Sequence, residues 1–147
     1  MTLFALAVAL LTIGPFNAPA QTKATGASTV GTWKADLAKN TGGTDPAPKA
    51  ITLTVLEDSA ERMSWRVEIV DAKGESISYS WSGPTDGSLQ PVKGPNGQVL
   101  MQESLARDTQ GALLRHGVDS KDGSSFDGRA TLSADGNTVT DLSLIHI

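Results

Sequence analysis

The sequence contains no cysteine and few aromatic residues, and both absences restrict what the protein can be. Without cysteine the chain has no disulfide, no thiol nucleophile, no thiolate zinc site and no lipid-bearing cysteine behind a signal peptide. Aromatic residues make up only 5% of the chain, so each contributes a large share of any core. Basic residues number 12 against 16 acidic ones. We therefore predict no nucleic-acid partner, because such proteins carry a basic surplus or stripe.

Long helical patterns are also missing from the 147 residues, which have the length of one domain. What is present instead is a series of short runs in which apolar and polar residues alternate, as in half-buried strands. The clearest runs are residues 63–69 and 77–81, separated by a hairpin signal at 71–74. Most runs follow one another at about 8–12 residues, with glycine, proline, asparagine and aspartate between them.

This pattern predicts an all-β fold, namely an antiparallel up-and-down meander that closes into a barrel of about eight strands. Closure is expected because a meander must protect its two edge strands from pairing with other chains. A β-sandwich of two stacked sheets is the alternative. We assign residues 30–141 to this domain.

Residues 1–20 have the pattern of a secretory signal peptide, and residues 21–29 that of a small, polar, flexible leader. Small residues at 18 and 20 favour cleavage near Ala20, which predicts a periplasmic or secreted protein. The apolar run is shorter than the roughly 20 residues that a spanning helix needs. We therefore predict no stable membrane insertion.

The sequence of residues 142–147 indicates that this segment does not come from the natural gene. The end of a common sequencing-library transposon, read in one frame, encodes the same six residues, LSLIHI. We expect this segment to be a sequencing-adapter artefact, and such a scar is excluded from fold reasoning. The barrel is then incomplete at its C-terminus. The alternative is an ordinary apolar last strand.

Several short segments resemble a known family. Gly-Thr-Trp-Lys at 31–34 opens the first run, Pro-Ala-Pro-Lys at 46–49 precedes ITLTV, and Gly-Arg at 128–129 comes before the turn at 133–137. In this order they resemble the lipocalin-like small exported β-barrel proteins of bacteria, over residues 30–141. The resemblance implies that Trp33 closes the narrow end of the barrel and that Arg129 packs across it.

A candidate ligand site comes from the shared face of two neighbouring runs. Met63 and Trp65 lie on one, Tyr79 and Trp81 on the other, and a barrel of about eight strands can hold one small ligand. His116 shares a face with Ala112, Leu114 and Val118, so we expect it to point inward as a polar group. The alternatives are that the aromatic residues are only core, and that His116 is a hydrogen-bonded barrel or rim histidine.

The sequence does not decide whether Glu103 points inward, because either face of the run from 99 to 106 could do so. No pair of titratable groups, phosphate loop or nucleophile motif appears. We therefore predict no enzyme activity, no catalytic residue, no metal site and no cofactor.

The function expected from the sequence is an exported binding module for a small apolar or amphipathic ligand. The alternative is an envelope or extracellular interaction scaffold with a filled core, which would use the loops at 40–50 and 119–125. Neither the ligand nor the oligomeric state follows from the sequence.

Overall fold

The computed structural model describes residues 13–14, 28–39 and 46–146, with the side chains of 13–14 and 145–146 excepted. Most of the predicted signal peptide, the leader up to residue 27, and part of the loop at 40–50 lie outside the described residues. Within them there are ten strands and one short 3₁₀ turn at Leu37–Lys39. The strands are β1 (Ile13–Gly14), β2 (Gly31–Ala35), β3 (Ala50–Asp58), β4 (Arg62–Val70), β5 (Ser76–Pro84), β6 (Gln90–Lys93), β7 (Val99–Arg107), β8 (Leu113–Asp119), β9 (Ser125–Leu132) and β10 (Val139–His146).

Nine of these strands form one antiparallel meander. From β2 to β10, each strand pairs with the next in sequence order, and the sheet curls strongly into a barrel. The prediction of an all-β, up-and-down meander is therefore confirmed. The continuous ladder replaces the two stacked sheets of the alternative, because short hairpin turns leave no long connection that could carry a strand to a second sheet.

The hairpin of β4 and β5 is the most regular part of the sheet. The two strands pair without a break from Arg62 opposite Pro84 to Val70 opposite Ser76. At the turn, one oxygen of Asp71 accepts hydrogen bonds from three successive backbone N–H groups at 2.8 Å. These bonds, and above all the one from the Glu75 N–H, lower the pKa of the Asp71 carboxyl. Gly74 adopts a positive φ of 96° that its lack of a Cβ permits.

The circle of strands closes only at a short seam. Ile13 of β1 pairs with Val139 of β10 on one side and with Ala35 of β2 on the other, and Gly14 adds one pair with Lys34. No direct pairing between β2 and β10 occurs among the described residues. We call this place, where the two-residue β1 bridges β2 and β10, the seam.

Residues 142–146 continue β10, where they pair with β9 from Arg129 to Ser125. Leu142 and Leu144 point outward and are 59% and 65% exposed, whereas Ser143 points toward the interior beside Gly128. The segment therefore pairs as a strand, but its leucines do not contribute to the core.

The core occupies the interior of the barrel and draws on most of its strands. Its largest members are Trp33, Trp65 and Trp81, which are buried together with smaller apolar residues. Those residues are Val55, Met63, Val92, Leu105, Leu113 and Val139. Among the described residues, no helix is long and apolar enough to cross a membrane.

Candidate functional site

Four of the predicted ligand-binding residues, three of them aromatic, form one wall of the barrel interior, which we call the aromatic wall. Strand alternation turns Met63 and Trp65 of β4 inward beside Tyr79 and Trp81 of β5. The rings of Trp65 and Tyr79 meet edge to face with centroids 6.0 Å apart, and those of Trp65 and Trp81 stack at 6.4 Å. Both arrangements are among those that aromatic pairs prefer.

A cavity of about 120 Å³ lies in front of this wall. Met63, Trp65 and Tyr79 line it, whereas Trp81 does not. Trp81 is 2% exposed and donates its indole N–H to the backbone oxygen of Glu103 at 2.9 Å, so it belongs to the core. Most of the lining is apolar and includes Trp33, Leu53, Val55, Leu105, Leu113, Leu132 and Val139.

A charged cluster interrupts this apolar lining. Arg115 of β8 donates from Nε to Oε1 of Glu103 at 2.8 Å, and from Nη1 to Oδ2 of Asp141. Its guanidinium also lies over the ring of Phe126, 5.3 Å from the centroid. We call Glu103, Arg115 and Asp141 the interior charge cluster. With both carboxylates ionised, one cation faces two anions, which leaves one negative charge in excess.

The electrostatics keep Arg115 charged although only 19% of its side chain is exposed. Desolvation alone would lower the pKa of the Arg115 guanidinium, but the nearby Glu103 and Asp141 carboxylates outweigh this effect and raise it. Burial likewise raises the pKa of the Tyr79 phenol, whose hydroxyl also feels the charges of Arg115 and Glu103. Tyr79 therefore presents a neutral hydroxyl to the same region.

Two glycines make room for this cluster. A Cβ on Gly117 would lie 2.1 Å from Cε1 of Phe126, so only glycine lets that ring lie where Arg115 covers it. A Cβ on Gly128 would lie 2.8 Å from Oγ of Ser143 and 3.4 Å from Oδ1 of Asp141. Both glycines stand on inward-facing positions, because they pair with Glu103 and Arg115 across the ladders.

A second ion pair lies at the end of the barrel where β7 turns into β8. Arg107 pairs with Asp58, whose other oxygen accepts hydrogen bonds from the backbone N–H of Thr29 at 2.7 Å and from its hydroxyl at 2.6 Å. Thr29, Arg107 and the exposed Gly111 all line the cavity, which therefore reaches the surface at this end.

His116 does not point inward, so that expectation is wrong. Its Nδ1 lies 2.8 Å from Oδ1 of Asp127 on the outer face, and its side chain is 44% exposed. The register explains the error: Leu105, which is buried, pairs with Arg115, so Leu113, Arg115 and Gly117 form the inner face of β8. The apolar alternation that suggested the opposite face includes Leu114, which lies with His116 on the outer face and is 41% exposed.

Arg129 and Trp33 are not brought together. Trp33 is buried in the core and donates its indole N–H to the backbone oxygen of Thr29 at 2.7 Å. Arg129 lies on the outer face, where its Nη2 donates to Asp108 at 2.8 Å and to Gln110 at 3.2 Å. A cation does reach an aromatic ring inside the barrel, but the pair is Arg115 with Phe126.

The fold and site define a small antiparallel β-barrel with an apolar interior cavity and a buried charged group beside it. Among the described residues, no group of three or more histidine, aspartate or glutamate side chains is placed to hold a metal ion. Comparison of the chain with family models, with curated proteins and with solved structures gives no match. The lipocalin resemblance therefore stays a prediction from the sequence segments that suggested it.

Proposed function

We propose that this protein is an exported binding module that holds one small amphipathic molecule inside its barrel. The observation that carries the proposal is the cavity itself, which is lined by aromatic rings and by Arg115 and Asp141. Ligand sites in proteins have this composition: a mostly apolar lining with a few polar groups that fix orientation. The predicted signal peptide at residues 1–20 supports export to the periplasm or the medium.

The size of the cavity limits the ligand. A dry protein cavity of about 150 Å³ accepts a benzene molecule, and this cavity of about 120 Å³ is slightly smaller. We therefore propose a ligand with a single ring or a short branched chain and one polar group. A scaffold protein with a filled core, the alternative, gains no support from an interior with such a cavity.

Titration of the purified protein with benzyl alcohol, followed by tryptophan emission and calorimetry, tests this proposal. We expect a saturable change in emission, because Trp33 and Trp65 both line the cavity. Ala130→Leu should abolish the change, since Ala130 lines the same space and a leucine there would fill part of it. Ala106→Leu is the matched control, because β7 alternation places Ala106 on the outer face opposite Leu114. No saturation, or equal binding by the Ala130→Leu variant, would overturn the proposal.

A further inference from the structure

We infer that the polar group of the bound molecule is a protonated amine and that Asp141 receives it. This inference rests on the proposed function, because it identifies the ligand class for the same cavity. It follows from the charges in the barrel interior, from the unused hydrogen-bonding capacity of Asp141, and from the aromatic rings that line the cavity.

The interior charges favour a cation over an anion. Arg107 and Asp58 neutralise each other at the open end, whereas the interior charge cluster holds two carboxylates on one guanidinium. An anionic ligand would have to compete with Glu103 and Asp141 for Arg115 and would meet their combined negative charge. A ligand with one positive charge would instead bring the cluster to neutrality, which matters most where water is largely excluded.

Asp141 is the carboxylate that the ligand can reach. It lines the cavity and is 5% exposed, whereas Glu103 is 1% exposed and is not part of the lining. Oδ2 of Asp141 accepts from Arg115, while Oδ1 has, among the described residues, only a long 3.4 Å contact with the Ser143 hydroxyl. A carboxylate offers about four lone-pair sites, so Asp141 has acceptor capacity left for an N–H donor from the cavity.

The aromatic wall offers a complementary environment for the rest of such a ligand. Trp65 and Tyr79 both line the cavity, and aromatic faces attract organic cations as well as apolar groups. The Tyr79 hydroxyl has no hydrogen-bond partner among the described residues, and it is electrostatically coupled to Arg115 and Glu103. Tyr79 is therefore a further acceptor that lines the same cavity as Asp141.

Three probes of nearly the same shape but different charge test this inference: benzylamine, benzyl alcohol and benzoate, titrated by calorimetry at neutral pH. We expect benzylamine to bind at least about tenfold more tightly than benzyl alcohol, the effect of one charge-assisted hydrogen bond. Benzoate should not bind measurably. Equal affinity for all three, or preference for benzoate, would overturn the amine assignment and leave the binding module intact. Absence of binding by all three would overturn both.

The Asp141→Asn variant tests whether Asp141 itself receives the amine. It removes the charge with little change in shape, and we expect benzylamine affinity to fall about tenfold while benzyl alcohol affinity stays within about threefold. Asp127→Asn, at an outer-face carboxylate that is 56% exposed, is the matched control and should change neither affinity. If Asp141→Asn fails to fold, the probe series on the unchanged protein decides the question alone. Unchanged benzylamine affinity in a folded Asp141→Asn variant would exclude Asp141 as the receiving group.

Discussion

At the scale of single residues, Arg115 is the least expected feature of the molecule. A largely buried arginine is tolerated only when its donors are paired, and here Glu103 and Asp141 provide the partners. The arrangement differs from the outer-face pair of Arg129 and Asp108, where the Arg129 side chain is 43% exposed and water screens the interaction. An arginine–carboxylate pair therefore contributes more to the free energy of unfolding on the inner face of the sheet than on the outer face.

Arg115→Met should destabilise the protein by about 3–5 kcal/mol, because it leaves two buried carboxylates without their cation. Arg129→Met makes the same change on the outer face and should cost no more than about 1 kcal/mol. Urea unfolding at neutral pH, followed by tryptophan emission, measures both values. Similar losses of unfolding free energy for the two variants would mean that the interior charge cluster stabilises the protein no more than the outer-face pair does.

At the scale of elements, the sequence predicts where the strands lie. It predicts only in part which face of each strand points into the barrel. The runs that became β4 and β5 alternate strictly, so their inner residues Met63, Trp65 and Tyr79 follow from the sequence. In β8 the inner face consists of leucine, arginine and glycine, and the outer face carries an equally apolar Leu114. Pattern alone cannot orient such a strand, because the decision comes from its register with β7.

The same limit explains why the sequence did not predict the three residues of the interior charge cluster. Glu103 could be placed on either face of its run, and Arg115 appeared on the polar side of an apparently apolar alternation. Asp141 stands in a polar stretch with no periodicity of its own. The one signal available was glycine: Gly117 and Gly128, in the interiors of two adjacent strands, indicate a close approach of other atoms.

Gly117→Ala tests how closely β8 and β9 are fitted to each other. The added methyl group would collide with the Phe126 ring, and we expect a loss of about 1–3 kcal/mol, as for other overpacked sites. Combining it with Phe126→Leu should recover part of the loss, because the two changes share one contact. Strictly additive unfolding energies for the double variant would show that the clash is relieved elsewhere.

At the scale of the whole molecule, the barrel is unevenly joined. Strands β4 and β5 share nine pairs, whereas β1 contributes one pair to β10 and two to β2. Local opening requires little free energy where few hydrogen bonds must break. By this measure the barrel should open first at the seam and between β5 and β6, which share the single pair of Ser80 and Lys93.

Hydrogen exchange followed by mass spectrometry can locate this opening. We expect amides of β2 and of β10 from Thr140 onward to exchange faster than those of β4 and β5 under native conditions. Peptides covering the regular β4–β5 hairpin serve as the internal reference. Uniform protection around the barrel would contradict the idea of a weak seam.

The position of β1 in the chain gives the seam a further meaning. Ile13 and Gly14 lie inside the segment that we expect to be removed on export. Cleavage near Ala20 would remove β1 and with it the seam between β2 and β10. The facing edges of these two strands would then be unpaired beside Trp33 and Val139, which line the cavity. Removal of β1 would then add to the access that the cavity already has at its Thr29 and Gly111 end.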